Sequence, residues 1–304
     1  MHVFVTGATG LIGRALAAGL VQDGHQVSAL SRGARGDGAG LPPGLPPDVR
    51  WVRGDPSRPG DWEEALAVCE ACVHLAGEPV AAGRWTEERK RRIRDSRVES
   101  TARVAAVLAR RGPGVLVLGS AVGYYGSRGD EVLDEASPPG DDFLARVTQD
   151  WEAAASPAQA RARVVLLRTG LVLSGQGGAL PRLAQPFRAF VGGPIGDGAF
   201  WMPWIHLADE LGLIRLALED SRVSGPVNGA APEPVRNRDF ARLLGQVLHR
   251  PSLVRTPPAA LRAVLGEMAS ALTASQRMVP RSALALGYRF RFPALEPALA
   301  ELLG

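Results

Sequence analysis

The start of the chain constrains its fold more than any other stretch. Residues 2–6, His-Val-Phe-Val-Thr, form a short β-branched and aromatic run of the kind buried on both faces of a sheet. "TGATGLIGRALAAGLVQDGHQV" spans residues 6–27, with glycines at 7, 10 and 13. An apolar pattern at helical spacing then runs through Leu11, Ile12, Ala15, Leu16, Leu20 and Val21. Gly24 ends that helix and "QVSALSR" opens a second strand. Strand, glycine turn, helix and strand within about 30 residues is the unit that binds dinucleotides. Gly7 permits the tight turn, Gly10 admits the pyrophosphate to backbone N–H groups, and Gly13 lets helix and strand close up. The phosphate charge then lies at the positive end of the helix dipole. Cofactor contacts are therefore expected from Gly7, Thr9, Gly10, Leu11, Ile12 and Gly13.

The end of the second strand selects the dinucleotide. An NAD site places a carboxylate there for the ribose 2′-hydroxyl. This chain has Ser31 and Arg32, with Arg35 close behind. A carboxylate would repel a 2′-phosphate and an arginine grips one, so NADP(H) is expected in preference to NAD(H). After a Pro/Gly-rich loop at 36–47 the alternation continues, with strands read at 49–55, 71–77, 114–121 and 163–173 and helical segments between them. That order gives an α/β fold, a Rossmann-type doubly wound parallel sheet with a smaller, mostly C-terminal substrate lobe. The expected boundaries are 1–173 for the cofactor domain, with 206–228 returning to it, and 174–205 plus 229–304 for the lobe.

Composition excludes several classes. Hydrophobic residues at 46% and charged residues at 22% fit an ordinary soluble globular protein. No apolar run is long enough to span a bilayer, and "MHVFVTG" enters a strand without a leader pattern, so a cytoplasmic protein is expected. The basic stretch "RWTEERKRRIRDSR" (84–97) is interrupted by Glu87, Glu88 and Asp95. It reads as an ion-paired helix face and not as a nucleic-acid patch. Cys69 and Cys72 lack the second ligand pair that structural zinc needs, so no metal is expected. The motif runs into a strand, which favours buried, unreactive thiols.

These residues also carry a family resemblance. "TGATGLIG" (6–13), "GD" (54–55) and "LAG" (75–77) resemble motifs of the extended short-chain dehydrogenase/reductase family. The resemblance implies that Asp55 contacts the adenine and that Leu75, Ala76 and Gly77 lie beneath the cofactor. "LLRTG" (166–170) is similar to the family's segment flanking the nicotinamide, which implicates Arg168 and Thr169. The stretches 74–101, 120–144 and 193–209 resemble the narrower "epimerase family" branch, related to NAD-dependent epimerases and dehydratases. Residues 266–303 resemble its short extra C-terminal domain, within a family-specific segment at about 255–304.

The family's usual catalytic residues are a Ser/Thr after the fifth strand and a Tyr-x-x-x-Lys whose lysine lowers the tyrosine pKa. Here the tyrosines are 124, 125 and 288 and the sole lysine is Lys90, so no such dyad exists. The stretch that should hold it, "DDFLARVTQDWE" (141–152), carries Phe143, Leu144, Val147 and Thr148 near the expected places, and Arg146 is the one cation within it. Ser120, Tyr125 and Tyr124 are the catalytic candidates, the tyrosines as proton donors, pocket wall or packed rings. Trp201, Trp204 and His206 are expected to line a substrate pocket. Two functions follow: an NADP(H)-binding oxidoreductase or epimerase-like enzyme on a small carbonyl or hydroxyl substrate, or a non-catalytic NADP(H)-binding redox sensor or regulator. No feature fixes an oligomeric state.

Overall fold

Alternation along each strand decides which faces of the sheet must be covered. In β1 (His2–Thr6), Val3 and Val5 point into one apolar core and Phe4 into another, as the two-residue period of a strand requires. β5 (Val115–Leu118) repeats this, with Val115 and Val117 on the first side and Leu116 and Leu118 on the second. Strands apolar on both faces need helices on both faces. The structure is a computed structural model and describes residues 1–33 and 47–304; Arg35 and nearly all of the Pro/Gly-rich loop lie outside the described residues.

Between β1 and β5 lie β2 (Gln26–Ser31), β3 (Arg50–Arg53) and β4 (Ala71–His74); β6 (Arg163–Thr169) and β7 (Gly225–Gly229) follow. All seven join one parallel sheet in the order β7-β6-β5-β4-β1-β2-β3. Helices α1 (Leu11–Gln22) and α6 (Leu207–Glu219) fill the Val3 face through Leu16, Leu20, Leu213 and Ile214. Helices α2 (Trp62–Ala67), α3 (Glu87–Arg110) and α4 (Phe143–Ala154) fill the Phe4 face through Trp62, Leu66, Leu108 and Trp151. The strand order reverses between β1 and β4, which opens a crevice at the carboxyl ends of these strands.

The remaining chain builds a lobe with its own core. Helices α5 (Leu180–Arg188), α7 (Asn237–Val247) and α11 (Leu295–Leu303) pack Phe187, Phe240, Leu244 and Leu299 around Trp204. The short helices α8 (Pro258–Leu265) and α9 (Met268–Thr273) precede α10 (Arg281–Ala285), whose Ala283 packs into the Val3-side core of the sheet. Two expected pocket residues belong to the packing of the lobe instead. Trp204 is 1% exposed and donates its indole N–H to the Glu233 carbonyl at 3.3 Å. His206 caps α6 by accepting from the Ala208 N–H at 3.0 Å, and its ring lies 3.9 Å from that of Phe292. Both rings are held by core and cap contacts and line neither of the cavities described below. Trp201 is partly exposed, its ring flanked by the Arg236 and Arg277 guanidiniums and its N–H on Asp130.

The thiols of Cys69 and Cys72 are buried, and burial pushes Cys69 up to about 12, so neither offers a thiolate near neutral pH. In α3 the charged stretch is ion-paired, Arg94 to Asp150 at 2.8 Å and Lys90 to Glu267 at 2.6 Å.

Asp209, in the first turn of α6, ties the lobe to the sheet. Its carboxylate accepts the Arg291 N–H at 2.7 Å, the Phe292 N–H at 2.9 Å and the Tyr288 hydroxyl at 3.3 Å. The group is 1% exposed, so its removal strands two backbone donors. Asp209→Ala is expected to lower the unfolding free energy by about 2–4 kcal/mol in urea titrations, and Asp209→Asn by less, because one acceptor oxygen survives.

Candidate functional site

The glycine turn opens onto a cleft of about 570 Å³ at the crevice between β1 and β4. Gly7 has φ +69°, and a Cβ there would stand 2.7 Å from the Leu75 carbonyl carbon. A Cβ on Gly13 would meet the Gly7 oxygen at 2.3 Å, so helix and strand close up only without side chains. Beneath the cleft, Thr6 Oγ1 accepts the N–H groups of Leu75 and Ala76, each at 3.2 Å. Its own hydrogen goes to His74 Nδ1 at 2.6 Å, and His74 Nε2 meets Ser100 Oγ at 3.0 Å. Burial holds His74 down to about 4, so the floor of the cleft is a neutral hydrogen-bonded chain.

Most sequence-named cofactor residues come together here. Gly7, Thr9, Gly10, Ser31, Arg32, Asp55, Leu75, Ala76 and Gly77 all line the cleft. Arg32 is exposed at its mouth, beside Ser31 at the end of β2. Asp55 is steadied by accepting the Ser57 N–H at 2.9 Å. Leu11, Ile12 and Gly13 support it from behind: Leu11 lies against Gly177 and Gly178 of the lobe, and Ile12 packs on the sheet core.

Arg168 is placed differently from its expected cofactor-side role. Its guanidinium donates to both oxygens of Glu152 at 2.9 Å, with the pair 5% and 9% exposed. Ser120 Oγ donates to the same carboxylate at 2.6 Å. Arg168 also donates to the Tyr125 hydroxyl at 3.1 Å, which in turn donates to Asn228 Oδ1 at 2.6 Å. Burial disfavours the Arg168 charge, but the Glu152 hydrogen bonds and charge raise its pKa overall. Tyr125 is fully buried, and burial pushes its phenol up to about 12 against the opposing pull of Arg168. It is a locked structural hydroxyl with no free surface for a substrate.

Tyr124 is the more open of the two. Its ring is half-buried, edge-on to Tyr125, with the Arg168 guanidinium 3.4 Å from the ring centroid. Glu152 was not anticipated from sequence. Its signal was position, since Leu144, Thr148 and Glu152 share one helical face at four-residue spacing. The expected dyad positions hold inert groups: Leu144 packs on Gly123 and Thr148 donates to its own Leu144 carbonyl. Arg146, exposed, donates to the Asp141 carbonyl.

A second cavity, about 340 Å³, lies past the end of β5, between Val122 and Gly123, the start of α4, and α9. Trp85 and Phe143 form one wall, edge to face at 5.1 Å. Among the described residues no group of His, Cys, Asp and Glu could hold a metal, and no helix is long and apolar enough to cross a membrane.

Residues 3–228 match the NAD dependent epimerase/dehydratase family. The chain belongs to that family. Residues 256–302, covering α8 to α11, match DUF1731, a domain of unknown function. The chain is 40% identical to the epimerase family protein SDR39U1 of Bos taurus, over the full length of both. The human epimerase family protein SDR39U1, solved with NADPH, superposes with a TM-score of 0.86 at 36% identity, covering 99% of each chain. A Corynebacterium glutamicum structure described as a nucleoside-diphosphate sugar epimerase superposes at 0.80 with 37% identity, covering all of this chain and 58% of that one. The doubly wound sheet and the family membership are thus common to sequence, fold and relatives.

Glu210, next to Asp209, was not anticipated either. It accepts from Thr169 Oγ1 at 2.7 Å, its second oxygen has no partner among the described residues, and burial pushes it up to about 7. Its folded pKa lies above the ordinary 4.5, so it stabilises the fold below pH 4.5 and loses that contribution as pH rises to 7. His74 runs the other way: depressed from 6.5 to about 4, it stabilises above 6.5 and loses that as pH falls to 4. The two slopes oppose each other across mildly acidic pH. Glu210→Gln is therefore expected to show a steeper loss of stability on acidification than the parent, by up to ~1.4 kcal/mol per pH unit in denaturant midpoints followed against pH.

Proposed function

We propose that this protein is an NADP(H)-dependent oxidoreductase or epimerase-like enzyme acting on a small carbonyl or hydroxyl compound. The carrying observation is the cleft itself: a glycine cradle that side chains would fill, opening at Ser31 and Arg32 where an NAD site has a carboxylate. The NADPH in the human relative's structure supports the same reading. Gly10 and the start of α1 would hold the pyrophosphate, Ser31 and Arg32 the 2′-phosphate, and Asp55 the adenine side.

When bound, the nicotinamide would supply a hydride to a carbonyl carbon, or accept one from a carbinol. The protein's part is the proton on oxygen. Ser120 has its hydrogen committed to Glu152, so it offers an incoming hydroxyl an acceptor. Tyr124, beneath the Arg168 guanidinium, offers a carbonyl oxygen a donor and is replenished from solvent. Tyr125 acts through packing and takes no part in the proton transfer. Arg168 holds this arrangement through Glu152.

Two measurements test the proposal. Arg32→Ala is expected to weaken NADPH binding by about 10-fold or more in calorimetric titrations and to leave NADH binding unchanged. Tyr124→Phe is expected to lower carbonyl-dependent NADPH oxidation by about 100-fold without changing NADPH affinity. Tight NADPH binding with no oxidation on any carbonyl tried would favour the non-catalytic sensor instead.

A further inference from the structure

We propose that the cavity between the loop after β5, the start of α4 and helix α9 takes an uncharged, largely apolar carbonyl compound, and excludes nucleoside diphosphate sugars. The inference rests on the proposed oxidoreductase reading and names its substrate class. The cavity begins two residues past Ser120, at Val122 and Gly123, and its volume of about 340 Å³ suits a small ring compound. A Cβ on Gly123 would meet Leu144 Cβ at 3.2 Å, so the floor is closely packed.

The lining decides the charge of the occupant. Trp85, Phe143, Leu144, Ala271 and Ala274 present aromatic and aliphatic surface, and among the described residues no lysine or arginine lines the cavity. Two carboxylates do, and both are already engaged. Asp142 caps α4 by accepting the Ala145 N–H at 2.8 Å, and Glu267 accepts from Lys90 at 2.6 Å. The nearby arginines hold backbone carbonyls: Arg84 those of Ala263 and Val264, Arg89 that of Pro79, and Arg146 that of Asp141. A diphosphate carries about two negative charges that need a guanidinium or ammonium clamp when desolvated. The Lys90 ammonium, 5.5 Å from the Phe143 ring centroid, is already paired with Glu267 at 2.6 Å and Glu87 at 3.3 Å, so it is not free to clamp a diphosphate. Ser127, whose hydroxyl accepts the Ser275 N–H at 3.1 Å, and Gln276, whose amide donates to the Val122 carbonyl at 3.1 Å, remain to orient a single oxygen, while the Ser270 hydroxyl donates to the Glu267 carbonyl at 2.8 Å.

The test is calorimetry on the full chain, first with NADP⁺, then with acetophenone, benzoate and UDP-glucose as probes, in the presence and absence of NADP⁺. Saturable acetophenone binding is expected, with no binding of benzoate or UDP-glucose. Ala271→Trp, which fills the cavity, should weaken acetophenone by ~10-fold or more and leave NADP⁺ affinity unchanged. Ala274→Leu, a smaller filling, should show the same direction if the tryptophan variant does not fold. UDP-glucose binding that Ala271→Trp or Ala274→Leu abolishes would overturn the proposal, as would acetophenone binding indifferent to both substitutions, or no saturable binding of acetophenone at all. Failure of NADP⁺ to bind in the first titration sinks the cofactor reading alone, since the cavity is also probed without it.

Discussion

The buried ion pair between Arg168 and Glu152 organises the carboxyl edge of the sheet. It joins the end of β6 to α4, and through Ser120 and Tyr125 it reaches β5, the turn after it and Asn228 on β7. A buried pair of this kind adds little net stability, because desolvation offsets attraction, but losing one partner leaves a stranded charge. Its value here is positional. With two parallel bonds to one carboxylate, the guanidinium plane is fixed, and that plane sets the packing of Tyr124 and the hydroxyl of Tyr125. A lysine within α4 would serve a tyrosine on the same helix; here the cation comes from a strand and the tyrosines from a loop.

Around this pair the molecule separates its tasks. The floor of the cleft between β1 and β4 is polar and uncharged, with His74 kept neutral between Thr6 and Ser100, and the charged Arg32 and Asp55 stand on its walls. The cavity under α9 is walled by rings and alanines. The C-terminal lobe is anchored to the sheet by Asp209 and to α3 by the Lys90–Glu267 pair, so the only lysine of the chain neutralises a carboxylate that lines that cavity.

What could be read from sequence follows how local the physics is. The β1–turn–α1 unit was legible because its strand, glycines and helix lie within one short stretch, and Ser31 and Arg32 sit one strand further on. Strands β4 and β5 were legible from the alternation of strand-like and helical segments. The Ser120–Glu152–Arg168–Tyr125–Asn228 cluster was not, since its members come from four separate segments and no spacing links those segments. Trp204 and His206 misled because an aromatic run near glycines has the same composition whether it lines a pocket or fills a core. The aromatic walls that do line the second cavity were hidden: Trp85 opens a basic stretch, and Phe143 stands where a tyrosine was sought.

The most direct test of this account is a pH titration of the protein labelled with ¹³C at the tyrosine ζ carbons, with Tyr125→Phe used to assign the resonance. A phenol that is buried, and held between Arg168 and Asn228, should stay protonated up to pH ~10, since its pKa is pushed up to about 12. Ionisation of Tyr125 near neutral pH would mean that Arg168 activates it as a dyad lysine would, and would contradict the account.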